Sequence, residues 1–212
     1  MNRSRVITTL LVAAALLSAT LLAVGEPAQA DSSRPRQVAV VIADGPSVRD
    51  TEGASELVIS FVGLLATLQS DRLVVFINMD DPSDVLGPFL ASDPNLIGMR
   101  DEIERRLLSP YTQRGGDLVD ALQEAQVVLG NERAEAGSTA YVITGSMPTA
   151  DNGGLAGRMP FVTAQFNNKG WSINGVGLDG TSSATRELLY EISSGTGGES
   201  FELSIPDGFQ RL

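Results

Sequence analysis

The chain has no cysteine and no histidine among its 212 residues, a single tryptophan, and only 5% aromatic residues in all. Without cysteine there is no disulfide, no thiolate chemistry and no lipid thioether at an export cleavage site. Without histidine the commonest general base and metal ligand is missing. Both absences disfavour an enzyme. Basic residues are scarce too: 15 against 26 acidic ones, for a net charge of −11. Nucleic acid and anionic membrane surfaces are therefore not expected as partners, because phosphate binding draws on lysine and arginine. The acidity has a plainer reading as well, since charge of one sign keeps a domain soluble.

What is present begins with an export signal over residues 1–30. Arg3 and Arg5 precede an apolar run from Val6 to Val24, and Ala28-Gln29-Ala30 supplies the small residues that signal peptidase reads. Ser4 between the arginines does not suggest the twin-arginine route. The protein is thus expected outside the cytoplasm, periplasmic or secreted. A second reading stays open: the apolar run is long enough to span a bilayer, which would leave the domain tethered by an uncleaved anchor over residues 6–24. That anchor is the one membrane contact the sequence suggests. Cleavage leaves 182 residues carrying −12, since the leader holds two arginines against Glu26. That length suits one domain with a full core. Residues 31–36 read as a short polar tether and 37–212 as the domain.

Within the domain, apolar runs alternate with segments of helical period. Gln37 to Ala43 is a valine-rich run of the kind buried on both faces in a parallel sheet. The period then changes over 54–69, where Leu57, Val58, Phe61, Leu64, Leu65 and Leu68 share a helix face. Leu73 to Asn78 is a second strand. Asp80 to Ser83 read as a solvated turn into a short edge piece near 84–86. Asp93-Pro94 opens a helix to about Leu108, with Leu96, Ile103 and Leu107 inward. Asp117 caps the next, whose inner face is Leu118, Ala121, Leu122, Ala125 and Leu129, with Gly130-Asn131 closing it. Thr139 to Thr144 is another strand. Met147 to Gly157 reads as a loop, followed by a short helix from about Pro160 to Asn168. Trp171 to Leu178 contains a strand, Thr185 to Ser194 a helix, and Ser200 to Leu203 a last strand. Strands separated by helices imply right-handed crossovers and a mostly parallel, doubly wound α/β sheet of about six strands, with one short antiparallel edge strand and helices on both faces.

Four stretches in this order resemble the von Willebrand factor type A family: Val38 to Val48 (V-A-V-V-I-A-D-G-P-S-V), Asp71 to Asn78, Arg114 to Leu122 (R-G-G-D-L-V-D-A-L), and Ile173 to Phe201 with its I-N-G-V-G-L strand and S-G-T-G-G-E-S-F turn. The resemblance implies a Rossmann-like sheet and a binding face at the carboxyl ends of its strands. It also implies a place for a divalent cation, the metal-ion-dependent adhesion site, held in the family by a strand-end aspartate, two serines, a threonine and a second aspartate. Here Asp44 stands first. The serine positions fall on Pro46 and Val48, with Ser47 between them, the threonine on Gly116 or Asp117, and the last aspartate on Gly145. At most two of five ligands survive, too few to replace the tightly held water of magnesium, so the site is expected to be degenerate and no cofactor is expected. After Leu203, Ile205, Phe209 and Leu212 offer one short turn where the family has a further helix; otherwise the chain is a fragment of a longer protein.

The candidate binding face is Asp44, Ser47, Asp117, Thr144 and Ser146. Asp44 has a second reading, capping the turn Asp44-Gly45-Pro46. Thr144-Gly145-Ser146-Met147-Pro148 lacks the second glycine and the histidine of a nucleophile elbow, and no phosphate-cradling glycine loop follows the first strand. Asp80, Asp81 and Asp84 lack the later glutamate of a calcium loop. Trp171, Phe161, Phe166 and Phe201 read as core. The sequence therefore points to an exported, non-enzymatic interaction module that binds another protein without a cation. The alternatives are a magnesium- or calcium-dependent adhesion site regrouped around Asp44, Ser47 and Asp117, and a hydrolase built on acidic residues alone.

Overall fold

The computed structural model describes residues 37–50, 72–93, 98–107, 117–145, 152–178 and 180–203, all within the compact unit Pro35–Leu212. The leader, the tether, the helix expected over 54–69, the start of the next helix after Asp93, and Gly116 and Ser146 lie outside the described residues. Six strands form one sheet: β1 (Val38–Ala43), β2 (Leu73–Asn78), β3 (Val85–Leu90), β4 (Thr139–Thr144), β5 (Ser172–Leu178) and β6 (Ser200–Leu203). Five described helices accompany them: α1 (Gly45–Asp50), α2 (Arg100–Leu107), α3 (Leu118–Asn131), α4 (Asn152–Asn168) and α5 (Ser183–Ser194). The order across the sheet is β3-β2-β1-β4-β5-β6, with every neighbour parallel except β3, which runs antiparallel to β2 at the edge. The fold class is α/β with a mostly parallel, Rossmann-like sheet.

Valine, isoleucine and alanine alternate faces along β1, so each strand residue feeds one of two cores, and all six are fully buried. Val38, Val40 and Ile42 join Val75, Ile77, Ala140 and Val142 beneath α3, α4 and α5. Ala39, Val41 and Ala43 join Val74, Phe76 and Ile143 beneath Val48 of α1 and Ile103 and Leu107 of α2. On β5 the seat for α5 is made by a missing side chain. A Cβ at Gly175 would stand 2.8 Å from Leu189 Cβ and 3.2 Å from Ser193 Oγ, so only glycine lets helix and strand approach this closely.

Several expectations are corrected by the structure. Residues 152–157, expected in a loop, belong to α4, with Pro160 inside the helix instead of at its start. The poor helix propensity of its glycines and proline is overridden by packing: Met159, Val162 and Phe166 repeat at helical spacing and are buried, Phe166 edge-on to Trp171 at 6.0 Å between centroids. The edge piece is longer than 84–86, because Val85–Leu90 pairs along β2 with a register shift. Phe161 and Phe201 are not core: they are 64% and 43% exposed. Among the described residues no helix is long and apolar enough to cross a membrane.

Candidate functional site

The strand order reverses between β1 and β4, and in open α/β sheets the crevice at such a switch point, outside the carboxyl ends of the strands, is where ligands sit. Asp44 ends β1 there. Its backbone continues the ladder, its N–H donating to Ile143 O at 3.0 Å, and its own carbonyl accepts from Val48 N at 2.9 Å. Asp44-Gly45-Pro46 is therefore not an isolated turn; the chain passes directly from β1 into α1.

The Asp44 carboxylate is 4% exposed. Its Oδ2 accepts from Ser47 Oγ at 2.7 Å and from Thr144 Oγ1 at 3.0 Å, while Ser47 Oγ accepts from the Gly145 N–H at 3.0 Å. Each hydroxyl has one proton and both are spent on Asp44, so the 3.3 Å approach of Ser47 Oγ to Thr144 Oγ1 is a packing contact. Burial raises the Asp44 pKa above the ordinary carboxylate range, and the hydrogen bonds from Ser47 and Thr144 only partly oppose it. The network ties β1, α1 and β4 together across the switch point.

Asp44 is the one carboxylate in this set, and its Oδ2 accepts from both hydroxyls. Val48, at one serine position of the family pattern, is fully buried in the core, and Gly145 stands where the last aspartate would.

Asp117 does not join Asp44. It is the N-cap of α3, accepting from Asp120 N at 2.9 Å, and its other oxygen takes Arg158 Nη1 of α4 at 3.1 Å. Arg158 also bonds Asp120. This is an architectural role, and Asp117→Ala is expected to cost about 1 kcal/mol, the usual worth of a lost cap, which a urea midpoint with unchanged slope would measure. Of the five residues named from sequence, then, Asp44, Ser47 and Thr144 come together, Asp117 stands apart, and Ser146 lies outside the described residues.

Asp80 was missed. Its backbone N–H is held by Asn78 Oδ1 at 2.9 Å, and the buried Asn78 amide is fixed in turn on Arg106 O. This turns the Asp80 carboxyl inward, where the Gly45 N–H donates to it and its Oδ2 is buried with no hydrogen-bond partner. Burial, together with the nearby Asp44 charge, pushes its pKa up to about 6. It is therefore not a solvated turn residue. In sequence it is one of three adjacent polar turn-formers, and the sole hint was Asn78 ending a buried strand one residue before Met79.

No protein-family model matches the chain, and no curated protein matches it by sequence.

Proposed function

We propose that the domain is an exported interaction module of the von Willebrand type A kind, which binds a partner protein at the carboxyl ends of its strands without a divalent cation. The observation that carries this reading is the closed hydrogen-bond network of Asp44, Ser47 and Thr144 at the switch point. The residue that would begin a metal site has its carboxylate turned to holding the binding face together. The sheet order, with its antiparallel edge strand, supports the family assignment, as do the four stretches of sequence that resemble it. No histidine or cysteine is available for nucleophilic or general-base work, which supports binding over catalysis. Asp44 and Asp80 are the acid pair a hydrolase would need, but Asp44 is committed to its neighbours.

A photo-crosslinking residue replacing Arg49, exposed on α1 beside the switch point, tests the reading in cells. A discrete protein adduct is expected, formed equally with EDTA and with millimolar magnesium, and none is expected from Glu135, exposed in the loop before β4 at the opposite end of the strands. An adduct that required the cation would instead favour the regrouped adhesion site. The same conclusion would follow from a magnesium-induced rise in Tm of several degrees. No adduct from Arg49 would remove the strand-end face from consideration.

A further inference from the structure

The two edges of the sheet differ. At β3, Pro88 has no N–H to offer and a register shift against β2 interrupts the row of edge groups. β6, at the other edge, carries neither device. Gly175 N bonds Glu199 O at 2.9 Å and Gly175 lies opposite Ser200, so Glu199 and Phe201 direct their backbone groups to β5, while Ser200 and Glu202 direct theirs outward. Ser200, Phe201 and Glu202 are all exposed. We propose that this edge pairs antiparallel with the same edge of a second copy of the chain, joining the two sheets into one. The proposal goes beyond the interaction-module reading and does not depend on the strand-end face.

Two-fold symmetry leaves few registers. Antiparallel residues whose groups face each other exchange both bonds within the pair, so Ser200 of one copy opposite Glu202 of the other uses the N–H and C=O of both residues in both copies. The axis then passes beside Phe201, which meets its own counterpart in the narrow, non-bonded pair with Cα atoms about 4.5 Å apart. Moving the axis to Glu202 would set two carboxylates face to face. Moving it to Ser200 would place Glu202 opposite Gly198, whose N–H is already given to Ser193 O at 2.9 Å.

The side chains agree with the Phe201 register. Phe201 is 43% exposed and lies beside Val176, on the sheet face of α1 and α2. Glu202 is on the other face, held by Arg186 Nη1 of α5 at 2.9 Å, so each carboxylate brought near the axis comes with its own cation. Tyr190, 66% exposed, stands one turn beyond Arg186 on the same flank of α5. Phe201 and Tyr190 are two of the four large apolar side chains left exposed among the described residues, one on each face of this edge, and apolar side chains gathered in this way mark an association surface. The net charge of −11 opposes a second copy at long range. Physiological salt screens that repulsion beyond about 8 Å, whereas the backbone bonds and the aromatic pair act at contact.

Sedimentation velocity at physiological salt tests this on residues 31–212, which contain the compact unit Pro35–Leu212. The mass should rise from monomer to dimer across the micromolar range, as suits a small interface. Phe201→Lys sets two ammonium groups at the axis and should weaken dimerisation at least tenfold, although it lowers the net negative charge. Phe201→Glu should weaken it likewise. Mixed together, the two variants should dimerise again, because position 201 faces only itself. Ser200→Pro removes an outward N–H without touching the β5 ladder and should also weaken the dimer at least tenfold. Val127→Lys, at an exposed position on α3, should change it less than twofold, and unchanged urea slopes would show that all the variants are folded. A parent chain that stays monomeric throughout overturns the proposal. In that case a photo-crosslinking residue at 201 that captured a different protein in cells would assign the edge to a strand from that protein. Phe201 variants that dimerise like the parent, or a mixture of them that stays monomeric, would equally overturn the pairing. With any of these results the Arg49 adduct still decides the interaction-module reading on its own.

Discussion

Replacing Gly198 by alanine is expected to cost about 4 kcal/mol or more, at the extreme of what single substitutions do. The new Cβ would lie 2.0 Å from Ile173 O and 2.7 Å from Asn174 Oδ1. The first of these is backbone and cannot rotate away. Moving the glycine off it means surrendering the bonds around it: Glu199 N to Asn174 Oδ1 at 2.8 Å, Gly175 N to Glu199 O at 2.9 Å, and Gly198 N to Ser193 O at 2.9 Å. These bonds lead the chain from α5 into β6, whose pairing begins where Ser200 faces Gly175, so the edge of the sheet should open. For a domain of this size the loss corresponds to a fall in Tm of roughly 8–16 °C. Gly130→Ala, inside α3 with nothing within 4 Å of the added carbon, is the control and should be stabilising, by about 0.4–1 kcal/mol. A Gly198→Ala protein as stable as the parent would mean that the turn is not packed as described.

Asp80→Asn should do the opposite. With its pKa at about 6, Asp80 keeps a proton in the folded state that the unfolded chain has already released by about pH 4. The folded protein therefore binds more protons across this window. Stability contributed by that proton is complete below about pH 4, declines as pH rises, and is gone above about 6. A two-unit shift corresponds to about 3 kcal/mol, but the residue is only partly buried, and screening reduces the expected effect to roughly 1–2 kcal/mol. The asparagine variant should accordingly be more stable than the parent by that amount at pH 7.5 and equal to it at pH 4. Asp44, also raised, contributes with the same sign and leaves a residual slope in the variant. Urea unfolding at the two pH values measures both. A variant less stable than the parent at pH 7.5 would show that the ionised carboxylate is wanted, and would bring a cation back into the account.

Much of the architecture is legible in the sequence because burial on both faces leaves a strand almost no choice of residue. Val38 to Ala43, Leu73 to Asn78 and Thr139 to Thr144 stand out for that reason, and Asp117 announces α3 through cap chemistry. The failures have a common physical cause. Gly153, Gly154, Gly157 and Pro160 are poor helix residues, yet α4 is held by what Met159, Val162 and Phe166 bury, a term that no local preference contains. At the site, Asp44 and Ser47 could be named because they are neighbours in sequence. Thr144 joins them across 100 positions, and its hydroxyl geometry is a tertiary fact. Asp80 is the clearest case: Asp80, Asp81 and Asp84 look alike as letters, and what separates them is which way Asn78 turns the chain.

The Asp44 network has a further consequence. β1 and β4 are the seam of the molecule, since one half of the sheet grows outward from each. A carboxylate that grips two hydroxyls across this seam works as a rivet, holding the lips of the crevice at fixed spacing. Under the proposed reading little conformational freedom would be left to surrender on contact, so more of the contact energy would appear as affinity. Such a rivet suits a surface that recognises by shape, and it would hinder one that had to spring open around an ion.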